Sequence, residues 1–581
     1  MTDIAADLKQ RFATLPDRDK DIDVVILGAG VNGAGLFRDL AAQGVNCLIV
    51  DKADFGSGTS AAPSRLIHGG LKYLETGEFG LVAQSTLERN LLLQNAPHCV
   101  EPLPTFIPIF SWTRGIWAAL RTLTGSTTAP RSRGAVLIKI GLALYDFFGS
   151  RNRVMPRHRF ILKKRALKEM PYVTPDIAAG GIYYDATISR PERLVYELVM
   201  DGLQANKNAL AANFTMLTSS AGGRLSFERA DGTTFSVAPK LVVNAAGPWI
   251  DRVNEALGAP SHLIGGTKGS HILLDHPELV RGLNGHMIYF EADDGRICLV
   301  YGYLGLALVG STDIPCDDPD NVRCDEPEID YFLESVQALL PGLRFGREQV
   351  VYSYSGIRPL PASDASSPGL ISRDHSAPVI EPKADRPFAI VSLVGGKWTT
   401  FRGFAEEVAD LALQRLNRTR TQSTKHLAIG GGRDFPMNST ARAEWVRAVA
   451  KRTGATPGRI DQLLSRYGTT ATAILDYPSA HTDTVRLSGA SHYSALEIDW
   501  IVRQELVVHL SDVVFRRTTL AIEGALTMQG LRDIGAIAAE ALGWTEQRLE
   551  AEIEDVVNLL AKFHDGRLTD ASGQQPVDVR I

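Results

Sequence analysis

The segment DVVILGAGVNGAGLFRDLAAQGVNCLIVDK, Asp23 to Lys52, constrains the fold more than any other part of the chain. Val24 to Leu27 is a short apolar run of buried-strand type, followed at once by Gly28-Ala29-Gly30-Val31-Asn32-Gly33. Leu36, Leu40 and Ala41 then recur at helical spacing, Gly44 is a stop signal, and Cys47 to Val50 is a second apolar run ending in Asp51. This order predicts a β-α-β unit. Gly28 and Gly30 let the backbone turn tightly against a pyrophosphate, and Gly33 lets the helix sit on the strand. Amides at the helix N-terminus, with Asn32 in the same turn, face the phosphates, and Asp51 is spaced to accept a hydrogen bond from a ribose hydroxyl. That carboxylate would repel the 2′-phosphate of NADP. The glycine pattern alone is a weak signal; its agreement with strand, helix, second strand and acid favours dinucleotide binding over a merely structural turn.

FAD or NAD is decided downstream. Residues 53–75, ADFGSGTSAAPSRLIHGGLKYLE, place small hydroxyl residues and glycines just after Asp51, among them Thr59, Ser60 and Ser64, with His68 beyond. Pro387 to Val394 reads as another strand, followed by Gly395-Gly396-Lys397-Trp398-Thr399-Thr400 and an amphipathic helix from near Phe401. A second glycine-rich strand-to-helix turn can aim amides at a flavin ring while the first holds the pyrophosphate, which suits an extended FAD better than NAD.

A chain of 581 residues is too long for one core, so two or three domains are expected. With 44% hydrophobic and 22% charged residues and a net charge of -5, it has ordinary soluble composition, and its mild acidity argues against non-specific nucleic-acid binding. Five scattered cysteines without a C-x-x-C pair make a disulfide framework or zinc site unexpected and point to a reducing cytoplasm. The first twenty residues resemble neither a signal nor a transit peptide. The longest apolar stretch, Gly134 to Gly149, is interrupted by Lys139 and Asp146 and falls short of the roughly 20 residues needed to cross a bilayer. No metal site is expected: the acidic stretch Asp313 to Asp330 lacks the spacing of a calcium loop and reads as solvated.

The segments GAGVNGAG, SRLIHGGLKYLE, APH, NAAGPW, KGSHI, GSTD, YSGIRPL, ISRD and GGKWTT carry a more specific signal. In order and approximate spacing the chain resembles, from about Asp23 to Asn417, the FAD-dependent, membrane-associated glycerol-3-phosphate dehydrogenases. More loosely, EIDWIVRQELVVHLSDVVFRRT resembles that family's C-terminal domain. The fold expected is α/β, α+β overall: a Rossmann-like FAD-binding domain of the glutathione-reductase/D-amino-acid-oxidase type, an antiparallel-sheet substrate domain and a helical C-terminal domain. The FAD-binding domain is drawn discontinuously over 20–110, about 235–260 and 385–420, with Gly247 in its NAAGPW return. The substrate region takes about 166–234 and 261–384, its antiparallel strands running from Phe235 to Ile357, and 421–581 is helical, including Ile498 to Leu510 and Glu546 to Leu560. Gln574 to Ile581 reads as a frayed tail.

The resemblance implies oxidation of sn-glycerol 3-phosphate to dihydroxyacetone phosphate, with electrons passing to a membrane quinone. It also implies a cytoplasmic homodimer held peripherally at the inner face of the plasma membrane. Such chemistry needs cations for the phosphate, a base for the hydroxyl proton and a hydride acceptor. For the phosphate the resemblance supports Lys72, Arg358 and Arg373, with Tyr73 as a hydroxyl donor. The family more usually has Arg at position 72, and lysine cannot form a bidentate fork, which leaves another polyol phosphate, such as a tetritol phosphate, open as substrate. Molecular oxygen as the electron acceptor stays open as well, as does a flavin-containing membrane scaffold without catalysis.

His271 in KGSHI is the first choice of base, since imidazole titrates near neutrality. A buried, hydrogen-bonded strand histidine is its structural alternative, and His68 is a rival nearer the flavin. Arg358 has a second possible role in orienting the substrate hydroxyl. Lys397 is the candidate to place positive charge beside the flavin N1-C2 carbonyl edge, against a solvent lysine at a helix start, where the helix dipole disfavours it. Thr312 and Thr399 are hydrogen-bond donors to substrate or flavin.

Residues 111–165 hold twelve Lys/Arg against one acid, Asp146. In SWTRGIWAALRTL, Trp112, Ile116, Leu120 and Leu123 share one helical face, with Arg114 and Arg121 opposite; GAVLIKIGLALYDFF adds a more apolar helix and RNRVMPRHRFILKKR a basic cluster. Apolar helices beside clustered cations suit an anionic membrane interface; packing on the protein with a solvated basic face is the alternative.

Overall fold

The computed structural model describes residues 4–15, 21–74, 77–113, 134–150, 154–292, 294–362, 374–566 and 568. Arg373, the segment 114–133 and the C-terminal tail from 569 lie outside the described residues. The β-α-β unit forms as its sequence predicts, with strand Val24–Leu27, helix Val31–Ala42 and strand Cys47–Val50. Both strands are buried at every position, the pattern of parallel strands covered on both faces. They lie within a six-stranded sheet ordered Val379–Ile380, Ala389–Ser392, Leu241–Asn244, Val24–Leu27, Cys47–Val50, Leu210–Ala212, parallel except for its first pair. The helix Val31–Ala42 packs between helices Pro191–Ala205 and Phe401–Arg415. Glycines set these approaches: a Cβ on Gly202 would lie 2.6 Å from the Phe37 ring, and one on Gly35 2.7 Å from Phe401.

A ten-stranded sheet forms the second layer. Its main path runs Ile314–Pro315, Ile264–Leu274, Leu306–Gly310, Ile297–Tyr303, Met287–Glu291, Val100–Ile109, Ala179–Ile188, Leu66–Ile67. Val350–Pro361 pairs along Ile264–Leu274, and Arg159–Leu162 along Ala179–Ile188. All pairings are antiparallel except Met287–Glu291 with Val100–Ile109. One face buries Leu273, Tyr301, Tyr352 and Tyr354 against the C-terminal helices; the other buries Ile272, Val300 and Val309 with Phe332 and Val336 of helix Glu326–Leu339.

Three boundaries differ from those drawn on the sequence. Leu210–Ala212 is an edge strand of the parallel sheet rather than part of the substrate region, and three residues carry no readable periodicity. Val100–Ile109 belongs to the antiparallel sheet, not the FAD-binding one. Phe235 lies in a separate meander, Thr215–Ala221, Arg224–Arg229 and Thr234–Val237, so the large sheet's run begins at Ile264.

The C-terminal region is helical as expected, with helices Ser439–Thr453, Pro457–Tyr467, Ala495–Gln504, Met528–Leu542 and Glu546–Phe563. Asn438, Thr456, Ser494, Thr527 and Thr545 cap their N-termini through side-chain oxygens. The helix expected over Ile498 to Leu510 stops at Gln504, shortly before Leu506 takes a φ of 53°.

Candidate active site

The first glycine turn is fixed by sterics. Gly28 has a φ of 104°, and a Cβ there would meet the Ala245 carbonyl oxygen at 2.6 Å; one on Gly33 would fall 2.0 Å from the Gly28 oxygen. Asp51 accepts from the Ala29 amide at 2.7 Å and the Ala53 amide at 3.0 Å, and burial pushes its carboxyl up to about 6. One bond on each oxygen leaves lone pairs for a ribose hydroxyl. The Val31 amide donates to Ser60 Oγ at 2.9 Å, and a Cβ on Gly30 would lie 3.1 Å from the same oxygen. Asn32 Oδ1 is buried in this turn without a protein partner.

The second turn meets the first. Gly395 and Gly396 have φ of 70° and 87°, and a Cβ on Gly396 would lie 3.5 Å from Asn32 Nδ2. Gly247, φ 57°, opens the short 3-10 turn Gly247–Trp249 after the neighbouring strand, with open space where its Cβ would be. Lys397 is buried rather than solvated: Nζ donates to Ser85 Oγ at 3.0 Å and the His68 carbonyl at 3.3 Å, and lies 4.7 Å from the centre of the Tyr73 ring.

The antiparallel register builds the opposite wall. His271 faces Tyr354, Gly269 faces Gly356 and Thr267 faces Arg358, so all six share one side of the sheet. The guanidinium of Arg358 lies across Gly269, where a Cβ would come within 2.2 Å of Nη2. Arg358 Nη1 donates to the Thr312 carbonyl at 3.0 Å and Asp313 Oδ1 at 3.1 Å, and Nη2 to Ser311 Oγ at 3.2 Å. The His271 ring is buried, stacks on Tyr354 at 4.9 Å between centroids, and places Nε2 2.8 Å from Ser64 Oγ. Burial, then the charges of Arg358 and Arg65, holds this imidazole well below its usual range, and Nδ1 has no hydrogen-bond partner. His271 is therefore neutral near pH 7.

Residues 57–74 join the three parts. Ser60 Oγ holds the first turn, while its carbonyl accepts from Trp398 Nε1 of the second at 3.2 Å. The Thr59 hydroxyl donates to the Ile357 carbonyl at 2.6 Å, Ser64 meets His271, and the His68 amide donates to Thr399 Oγ1 at 3.1 Å. Tyr73 lies under Lys397, and Lys72 is exposed on the short helix Leu71–Leu74. Thr312 is a correction: its hydroxyl donates to Glu328 at 2.6 Å and accepts from the Ser270 amide at 2.9 Å, so its proton is committed inside the protein. What it offers this face of the sheet is the carbonyl that orients Arg358.

Several supporting residues gave no sequence signal. The Gly69 amide donates to Tyr145 Oη at 2.8 Å and Asp185 at 3.0 Å, with Arg89 bonded to both oxygens. Tyr145 sits in the apolar helix Ala135–Phe148, so that helix also braces the His68-Gly69-Gly70 loop. His98, of the APH segment, forms a buried pair with Glu197 at 2.8 Å beside Cys99; burial opposes its protonation, but Cys99 and Glu197 push it up to about 10. A cavity of about 260 Å³ lies between residues 57–62 and the C-terminal helices, and His271, Arg358 and Lys397 are not among its lining residues.

The orphaned Asn32 oxygen, the two glycine turns and the buried Lys397 fit a long dinucleotide with a flavin end. Comparisons with known proteins agree. The family model for FAD dependent oxidoreductases matches residues 23–411, and that for the C-terminal domain of alpha-glycerophosphate oxidase matches residues 422–549. A glycerol-3-phosphate dehydrogenase of Synechocystis sp. is 30% identical over 568 residues, covering 94% of this chain and 96% of that one. An aerobic glycerol-3-phosphate dehydrogenase of Staphylococcus aureus is 27% identical, with the same coverage. The crystal structure of the glycerol-3-phosphate dehydrogenase from Bacillus halodurans complexed with FAD superposes with a TM-score of 0.71 at 21% identity, covering 98% of this chain and 99% of that one, which shows a shared fold. The chain thus belongs to the FAD-dependent oxidoreductases, among relatives named glycerol-3-phosphate dehydrogenase, and its cofactor is FAD.

Proposed function

We propose that the protein oxidises sn-glycerol 3-phosphate at C2 to dihydroxyacetone phosphate and delivers the electrons to a membrane quinone. The observation that carries this reading is the sheet face presenting His271 and Arg358, tied by residues 57–74 to the glycine turn of Lys397. The first glycine turn and Asp51 would hold the pyrophosphate and ribose of FAD, which would supply the acceptor for the C2 hydride. Arg358, kept in one orientation by Asp313 and the Thr312 carbonyl, holds the phosphate or the reacting hydroxyl, with Tyr73 and Lys72 as further candidates for the anion site. Neutral His271 accepts the hydroxyl proton at Nε2, the nitrogen turned toward Ser64. Lys397 would supply positive charge to stabilise the reduced flavin. The alcohol loses a hydride and a proton, and the quinone takes up two electrons and two protons.

Anaerobic addition of glycerol 3-phosphate is expected to bleach the visible flavin absorbance rapidly, whereas glycerol and erythritol 4-phosphate leave it unchanged. Bleaching only by the tetritol phosphate moves the substrate to a longer polyol, as a point charge at Lys72 permits; no bleaching by any of them overturns the reading. Quinone-dye and oxygen-electrode assays on one preparation separate the two acceptors.

Membrane attachment belongs to the same reading. Helix Ala135–Phe148 turns Leu142 and Tyr145 inward and exposes Val136, Ile140, Leu144 and Phe147, the last 70% accessible. Leu162 is also exposed, as are the cations Lys139 of the same helix and Arg157, Lys163, Lys164 and Arg165 of the following segment. Among the described residues no helix is long and apolar enough to cross a membrane, so the stripe suits an interface of anionic lipid. Each buried side chain of this size stabilises binding by about 1.5–3 kcal/mol. Ile140→Asp with Phe147→Asp is therefore expected to reduce co-sedimentation with anionic vesicles at least about tenfold, with unchanged turnover of a soluble dye. Undiminished co-sedimentation overturns the attachment.

A further inference from the structure

Asp54, three residues beyond Asp51, is a fully buried carboxylate whose cationic partners come from the far end of the chain. It accepts from Arg516 Nε at 2.7 Å, from Arg517 Nη1 at 2.6 Å and Nη2 at 3.0 Å, and from Asn213 Nδ2 at 2.9 Å. Both arginines belong to the π-helical turn Val513–Arg517 of the C-terminal domain. Arg516 is held in turn by Asp512, and Arg517 by the Glu505 carbonyl; the Glu505 carboxylate takes a fork from Arg193 at 2.5 and 2.7 Å. Three acids, Asp54, Asp512 and Glu505, thus balance three arginines, Arg193, Arg516 and Arg517, and neutralisation of one member leaves an uncompensated buried charge.

On its other side the turn around Asp54 grips the pyrophosphate turn. Asp51 takes the Ala29 N–H at 2.7 Å, and the Gly56 N–H donates to the Ala29 carbonyl at 2.9 Å, so residues 51–56 bracket the peptide between Gly28 and Gly30. Within that bracket the Asp54 carbonyl accepts from the Ser57 hydroxyl at 2.7 Å, and Ala53 is bound through the Phe214 amide at 2.9 Å. Sliding Asp54 therefore moves both groups that fix Ala29. We propose that Asp54, clamped by Arg516 and Arg517, is a positioning residue through which the helical C-terminal domain sets the affinity of the FAD site. The C-terminal domain is then part of the cofactor cradle, although the groups assigned to the dinucleotide itself all come from the rest of the chain.

The inference rests on FAD binding and not on the choice of substrate, so its test uses no turnover. FAD is stripped from the full chain and rebound while flavin fluorescence quenching is followed, for Asp54→Asn, Arg516→Lys and Glu497→Gln. The last variant breaks another buried cluster of the same domain, in which Glu497 accepts from Arg459, Arg466 and Tyr467. Asp54→Asn is expected to weaken FAD at least about fivefold, and Arg516→Lys, which keeps the charge but loses the guanidinium geometry, by less. Glu497→Gln is expected to lower the Tm of the apo chain while leaving the FAD Kd unchanged. Wild-type affinity in Asp54→Asn, or equal weakening in Glu497→Gln at an equal loss of Tm, overturns the proposal. If Asp54→Asn does not fold, Arg516→Lys decides: unchanged affinity in that folded variant also overturns it.

Discussion

Arg358→Ala is expected to leave FAD bound and to lower kcat/KM for glycerol 3-phosphate by roughly a few hundredfold, about 3–4 kcal/mol of lost transition-state stabilisation. The guanidinium lies flat across Gly269 on the face shared with His271, so its removal takes away the fork and its 3.1 Å bond to Asp313. With the guanidinium gone, the Asp313 carboxylate would face the substrate's phosphate with less compensating charge, so the loss exceeds that of one hydrogen bond. Arg358→Lys restores the charge without the fork and is expected to recover part of the loss, chiefly in KM. Flavin absorbance per protein should not change, because the bonds that hold the two glycine turns are made by Asp51, Ser60 and Gly56. Unchanged kcat/KM in Arg358→Ala removes this residue from the site; loss of flavin gives it a structural role instead.

How far the site is legible in the sequence follows the range of its interactions. The first glycine turn can be read outright, because Gly28, Gly33 and Asp51 act on neighbours within one β-α-β unit and their spacing is fixed by strand and helix geometry. Lys397 announces itself by standing where a helix dipole disfavours a cation, and it is buried over Tyr73 rather than solvated. Strand membership is less visible. Leu210–Ala212 joins the parallel sheet only because Cys47–Val50 leaves an edge for it, and nothing in three small apolar residues marks that edge. The hydroxyl of Thr312 misleads for a related reason: its partner Glu328 lies in the first turn of a helix, sixteen residues on, and only tertiary packing decides which way the side chain turns. The bracket around Ala29 is invisible because Asp54 and Arg517 are separated by most of the chain.

His271→Asn is expected to lower the rate of flavin reduction at saturating substrate by about 10²–10⁴-fold, the usual worth of a positioned general base. The competing account is a buried histidine that merely fills its strand position, and the stacking on Tyr354 and the bond to Ser64 are compatible with it. The pH profile separates the two. Burial, Arg358 and Arg65 disfavour the imidazolium, so the folded protein binds this proton well below the ordinary value near 6.5, whereas the unfolded chain binds it there. Its contribution to stability is accordingly intact above pH 6.5 and is lost as pH falls toward the depressed value. A base with that pKa gives a wild-type reduction rate that is flat from neutrality down past pH 6.5 and falls only in more acid solution. Saturating substrate makes the second ionisation of the phosphate, near pH 6, bear on binding rather than on this rate. Since Arg358 is one cause of the depression, the residual activity of Arg358→Ala should show its acid limb displaced upward toward 6.5. A His271→Asn enzyme that loses Tm but keeps its rate reduces the histidine to a core residue.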